Sequence, residues 1–340
     1  MRAKESSRIR NGLRIVVSAA ALALGGCGGG GGDGGGSATA PKINSSNSAV
    51  VASRAYSVAD ALYSTGSAAT SAMKSVGGPS NGVRLNLAEF AVRRLLNLGG
   101  GSAGSGGVVG KAIVSDSEPC PLGGMISLTA NDADDSGTLT SGDTGSITFT
   151  NCVDSDGIRY DGTFSFSNLS YTGSSVTPSQ TLGATFTFSN FRATLNQDSA
   201  SVNGDFSVQA AITNFAPYSL DLAVSGTKLV LAENNWTETL AQFSANIFID
   251  ITAGTYAYGV AGAISGTGLP DAITLATPRT LAGNIGSYPT TGAITATASD
   301  GTAARLTVNS AANVAVDLDG NADGVFESSQ TMTWTQLAAI

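Results

Sequence analysis

Oxygen ligands carry the most specific chemical signal in this sequence. The run Asn131-Asp-Ala-Asp-Asp-Ser-Gly-Thr-Leu-Thr-Ser-Gly-Asp143 is acidic, glycine-punctuated and bracketed by Cys120 and Cys152. Counted from Asp132, Asp134 falls at position 3, Ser136 at 5, Gly137 at 6, Thr138 (through its backbone carbonyl) at 7, Thr140 at 9 and Asp143 at 12. A calcium loop of EF-hand type asks for oxygens at those positions and for glycine at the sharp turn. Calcium tolerates irregular oxygen shells, so the loop can supply the chemistry whatever elements flank it. The same residues would also make a solvated Asp/Gly turn between two strands. A second run, Asp319-Gly-Asn-Ala-Asp-Gly-Val-Phe-Glu327, places Asn321 at position 3, Asp323 at 5, Gly324 at 6 and Glu327 at 9. Its position 12 is Gln330, which cannot give a bidentate carboxylate, so this site is expected to be the weaker, with Asp317 available as a substitute from outside the loop.

What is missing narrows the chemistry further. The 340 residues include no histidine. That removes Ser-His-Asp and Cys-His catalysis, His-ligated zinc or iron, and the usual proton shuttle near neutral pH. Charge is unevenly spread. Residues 27–111 carry seven Lys/Arg against three acids, whereas from residue 112 onward five basic residues face 21 acids. An acidic main domain argues against nucleic-acid binding and suits cation binding. No catalytic residues are expected.

The N-terminus reads as an address. Arg2, Lys4, Arg8, Arg10 and Arg14 precede an apolar run from Ile15 to Leu24, which is too short to span a bilayer and has the form of a secretory signal. Leu24-Gly25-Gly26-Cys27 follows at once and resembles the bacterial lipobox. That resemblance implies diacylation of Cys27 after cleavage, with two or three acyl chains serving as a membrane anchor. Gly28 at the next position, rather than Asp, implies sorting to the outer membrane. Gly28 to Gly36, broken only by Asp33, and then Ser37 to Asn47 make a flexible tether. With Cys27 lipidated, Cys120 and Cys152 are the remaining thiols, in an oxidising compartment, and are expected to pair.

Two helices and a β-domain have to position these groups. Val51, Ala55, Val58, Ala59 and Leu62 form an apolar stripe at helical spacing, with Asn47 or Ser48 as cap and Gly66 as stop. A second helix is expected from about Asn86 to Leu98, either packed on the β-domain or resting as a basic amphipathic helix on anionic lipid, and Gly99 to Gly110 follows as a joint. Beyond it, Thr163-Phe-Ser-Phe-Ser-Asn-Leu recurs as Thr185-Phe-Thr-Phe-Ser-Asn-Phe, and Gly162, Gly183, Gly204 and Gly226 recur at an interval near 21 residues. Large residues alternate with Ser and Thr, which means strands, and the interval reads as a hairpin of two strands of about ten residues. The fold class is therefore mainly β: an antiparallel up-and-down meander, sandwich or open barrel, preceded by one or two short helices. Domain bounds follow: signal peptide 1–26, lipidated tether 27–47, helical segment and linker 48–110, β-domain 111–340.

The combination of lipobox, Gly-rich tether, Cys-bracketed EF-hand- or dockerin-like loop, hairpin repeats and closing Trp334 resembles a class of poorly characterised Gram-negative outer-membrane lipoproteins. The resemblance implies an outer-membrane anchor, with the periplasmic or the surface face left open, and it brings no activity with it. The leading expectation is a calcium-stabilised lipoprotein that binds, adheres or supports at the envelope, with an unknown envelope or extracellular ligand. One alternative is a carrier whose Phe-lined half-barrel face cradles acyl chains or lipoproteins. A lesser one is a carboxylate-only hydrolase, which needs two acids facing each other across a cleft.

Overall fold

The computed structural model describes residues 42–71 and 113–340, apart from 137–139, 156, 174–177, 196–197, 214 and 234–235, and in the first segment it describes side chains only as far as 63. Cys27, the tether before residue 42 and the second expected helix lie outside the described residues. Helix α1 spans Ser48–Ser71. Among the described residues fourteen strands follow: β1 (Ile113–Pro119), β2 (Met125–Asn131), β3 (Thr144–Val153), β4 (Arg159–Thr172), β5 (Ser179–Leu195), β6 (Asp198–Thr213), β7 (Ser219–Glu233), β8 (Trp236–Asp250), β9 (Thr255–Gly266), β10 (Ile273–Asn284), β11 (Thr291–Ala298), β12 (Ala303–Val308), β13 (Asn313–Asp319) and β14 (Ser328–Thr333). A one-turn helix, α2 (Trp334–Ala338), closes the chain, capped by a reciprocal Thr333–Gln336 box. The strands pair in sequence order into one antiparallel sheet with β1 and β14 at its edges, so the meander is open rather than a closed barrel.

The 21-residue interval has a different cause from the one expected. Each repeat is one long strand plus a turn, with β4 to β8 running 14, 17, 16, 15 and 15 residues. The repeated glycines sit inside these strands, not at their starts. What broke the alternation is a set of β-bulges. In Phe149-Thr-Asn151-Cys, Phe166-Ser-Asn168-Leu and Phe188-Ser-Asn190-Phe the asparagine takes a positive φ of 49, 52 and 51°. Asn tolerates that region better than most residues. The extra residue flips the parity of the strand, so Phe186 and Phe188 before the bulge and Phe191 and Ala193 after it all face inward. Side chains of the facing strand take up amides freed by two of these bulges: Asn151 N donates to Asp161 Oδ1 at 2.7 Å and Asn190 N to Asn203 Oδ1 at 2.7 Å. Glycine is required opposite, because a Cβ on Gly162 would meet the Asn190 carbonyl oxygen at 2.3 Å.

The inward faces meet in one core. Phe149, Phe164, Phe186, Phe191 and Phe206 are buried and pack ring on ring with centroids 5.2 to 6.5 Å apart. Helix α1 lies on the same face further along the sheet, against β7–β9 and β11–β13. Its stripe Val51, Ala55, Val58, Ala59 and Leu62 is buried as the spacing requires, and Ala52 and Tyr56 are buried as well. Gly66 does not stop the helix, which runs on to Ser71. Asn47 turns its side chain back to the backbone of Asn44 and Lys42 instead of capping forward. Before the helix, Lys42 clamps residues 42–43 to the sheet by pairing with Asp271, while Ile43 N donates to Thr302 Oγ1 at 2.9 Å.

Candidate functional site

The acidic loops are the two hairpin connections β2–β3 and β13–β14. In the first, a carboxylate oxygen from each of Asp132, Asp134 and Asp143 lies within 4.8 Å of the others. Asp132 follows β2 and Asp143 precedes β3, so the antiparallel register that pairs Asn131 with Thr144 brings them together. Asp143 is fully buried and accepts from Ala133 N at 2.8 Å through one oxygen and from Thr140 N at 2.6 Å through the other. Asp134 is exposed and accepts from Ser136 N at 3.1 Å and Thr140 Oγ1 at 2.9 Å. Hydrogen bonds from Ser136 and then Thr140 hold its carboxyl below the usual range. The sequence-expected residues Asp132, Asp134, Ser136, Thr140 and Asp143 thus share one loop, and Thr138 lies outside the described residues.

The loop is tied down on both sides. Ser141 Oγ donates to the Tyr171 carbonyl at 3.0 Å and accepts from Tyr171 N at 2.7 Å, pinning the turn to the end of β4. At the other end of the hairpin, Cys120 and Cys152 form a disulfide with a Cα–Cα distance of 5.4 Å that ties the chain after β1 to β3.

The second loop is also assembled by its hairpin. Asp319, Asp323 and Glu327 form a matching group of carboxylate oxygens within 4.8 Å. Asp319 is buried and accepts from Ala322 N at 2.7 Å and Gly324 N at 2.9 Å, and Glu327 accepts from Gly320 N at 3.0 Å. Asn321 exchanges hydrogen bonds with Asp323. Asp317 is not brought to this loop. Its carboxylate pairs with Arg305 at 3.0 Å and accepts from Thr307 Oγ1 at 3.2 Å, because Asp317 and Arg305 are register partners on β13 and β12. Arg305 also stacks 3.9 Å over the Phe326 ring and so braces the hairpin.

Chemically, each group offers three carboxylates with hydroxyl or amide support. That donor set is hard oxygen throughout, and the mutual repulsion of three like charges is what a divalent cation relieves. It is consistent with cation binding.

One ionisable constellation has no counterpart among the sequence expectations: Asp60, on α1, sits among Tyr56, Tyr63, Tyr256 and Tyr258, and burial pushes its carboxyl up to about 7 despite a hydrogen bond from Tyr56. Tyr63 stacks on Tyr258 at 4.8 Å, and Trp334 stacks on Tyr288 at 4.9 Å. The available signal was the Tyr56/Asp60/Tyr63 spacing on one helix, which alone does not reveal the aromatic residues of β9 and the closing Trp334.

None of the family models, curated proteins or solved structures compared with this chain matches it. Fold and site together define a β-rich, open-sheet domain with acidic clusters on its hairpin connections, consistent with a binding-type domain.

Proposed function

We propose that this protein is an outer-membrane-anchored lipoprotein whose β-domain is stabilised by calcium and serves in binding, adhesion or envelope structure instead of catalysis. The observation that carries the metal part is the convergence of Asp132, Asp134 and Asp143, three carboxylates drawn together by a hairpin register and two of them buried. The anchor part rests on Leu24-Gly25-Gly26-Cys27 directly after an apolar run. The carrier reading is disfavoured, because an acyl chain on the inner face would have to displace α1 or the phenylalanine stack. A carboxylate-only hydrolase needs two facing acids at a cleft, and both acidic groups lie on hairpin turns.

Calcium calorimetry on the full chain tests this reading. Wild type is expected to bind calcium at the β2–β3 loop, and Asp134→Ala is expected to remove that binding event. Retention of all calcium binding in Asp134→Ala and in Asp132→Ala would overturn the assignment of the loop.

A further inference from the structure

The outward face of the sheet carries a recess that neither acidic loop explains. It measures about 760 Å³ and lies across β4 to β10, on the side away from the core. Its floor is set by pairing. One cross-strand row reads Ser170–Gly183–Gln209–Ala223–Asn246–Gly259, each residue paired with the next. Polar side chains there alternate with glycine or alanine. The adjacent row places Thr181, Ala211, Asp221, Phe248 and Ala257 side by side. Where outward positions elsewhere carry Ser and Thr, these small residues let the surface sink between longer amide, carboxylate and aromatic side chains.

We infer that this recess binds a neutral oligosaccharide lying across the strands, with Asp221 and Asn246 hydrogen-bonding sugar hydroxyls and Phe248 supplying the apolar platform. Three features favour that ligand class. Carboxylate and amide groups offer paired acceptors and donors that match vicinal hydroxyls. Phe248 is 41% exposed beside Asp221, its register partner, an amphipathic pairing that suits a ligand with one apolar and one hydroxylated face. Among the described residues no Lys or Arg lines the recess, while Asp221 does, so an anionic ligand would meet repulsion. Six strands at sheet spacing give a row about 24 Å long, enough for several sugar units. A bare acyl chain would leave the amides and carboxylate desolvated without partners.

This inference deepens the binding reading proposed above and rests on it only in treating the domain as non-catalytic. The test is calorimetric titration of the full chain with four neutral hexasaccharides: cellohexaose, maltohexaose, xylohexaose and hexa-N-acetylchitohexaose. A neutral hexapeptide serves as the other arm. At least one sugar is expected to bind with a Kd between about 10 µM and 1 mM. Asp221→Ala, Asn246→Ala and Phe248→Ala should each weaken it about tenfold or more, with an unchanged melting temperature because all three side chains are exposed. No sugar binding at up to about 10 mM, peptide binding in place of sugar binding, or sugar binding that survives all three substitutions would each overturn the inference. Calcium titration of the same preparation reads the acidic loops independently. A chain that binds calcium but no sugar therefore loses only this inference.

Discussion

The two acidic hairpins use the same device and are braced in different ways. In each, one buried aspartate, Asp143 or Asp319, has both oxygens satisfied by backbone amides and so fixes the turn without any ion. Around Asp143 stand Asp132 and Asp134, bridged to each other by the Ser136 amide, while the Thr140 hydroxyl links Asp134 to Asp143 and a disulfide closes the far end of the hairpin. Around Asp319 stand an exposed Asp323 and Glu327, and the brace is a cation: Arg305 held between Asp317 and the Phe326 ring. Arg305 neutralises Asp317, which lies outside the Asp319/Asp323/Glu327 group, so it braces the strands and leaves the three acids of the group to one another. The comparison teaches that carboxylate spacing alone does not rank two loops; what holds the surrounding strands does.

Removing the disulfide should have the largest effect. It closes a loop of 32 residues, which in the chain-entropy model constrains the unfolded state by about 4 kcal/mol. Cys120→Ser with Cys152→Ser should lower stability by about that amount in denaturant titration, with faster hydrogen exchange in β1–β3 and unchanged exchange in β12–β14. Equal loss of protection in both hairpins would break the distinction.

Asp60 provides a control that belongs to neither hairpin. Its carboxyl is raised to about 7 by burial, so the folded chain holds this proton more tightly than the unfolded chain does. Stability from this group is therefore greatest below the unfolded value of 3.8, falls as pH rises toward 7, and is level above that. Asp60→Asn should flatten that slope and stabilise the protein at neutral pH by roughly 2–4 kcal/mol, seen by urea titration at several pH values. Asp134 runs the other way: its carboxyl is lowered, so its contribution is present above the unfolded value and is lost as pH falls through the folded one.

Arg305→Met comes next. It leaves the mostly buried Asp317 without its guanidinium partner and removes the stack on Phe326, at a cost of about 1–3 kcal/mol. Its signature should be faster exchange confined to the β13–β14 hairpin, with calcium binding at β2–β3 untouched. The smallest expected change is Asp323→Ala, which removes an exposed carboxylate from the β13–β14 group and should leave the melting temperature within about a degree in chelator.

Much of this architecture was readable from residue pattern, and the misreadings have definite causes. Alternation of Phe with Ser or Thr announces strands, and the Asp/Gly runs announce the hairpin turns at 132–143 and 319–327. The strand count per repeat was misjudged because a bulge at Ser189-Asn190 shifts parity, so one 17-residue strand looks like two alternating runs. Asp317 is near the second loop in sequence and shares a strand face with Asp319, but it lies one register step back, where Arg305 and Thr307 of β12 take up its carboxylate. The outward recess was invisible for a similar reason: Gln209, Ala223 and Asn246 are neighbours only across strands, and nothing along the chain sets that register. Helix α1 was legible as an amphipathic element, whereas its place on the inner face of the open sheet required the tertiary fold.

The most direct test of the account is thermal unfolding of the full chain, disulfide intact, first in millimolar calcium and then in chelator, for wild type and Asp134→Ala. The account predicts a melting temperature several degrees higher in calcium for wild type, and a difference that largely vanishes in Asp134→Ala, with the two proteins alike in chelator. Identical melting in calcium and chelator for wild type would contradict it, and would reduce both acidic hairpins to turns held by their own backbone amides.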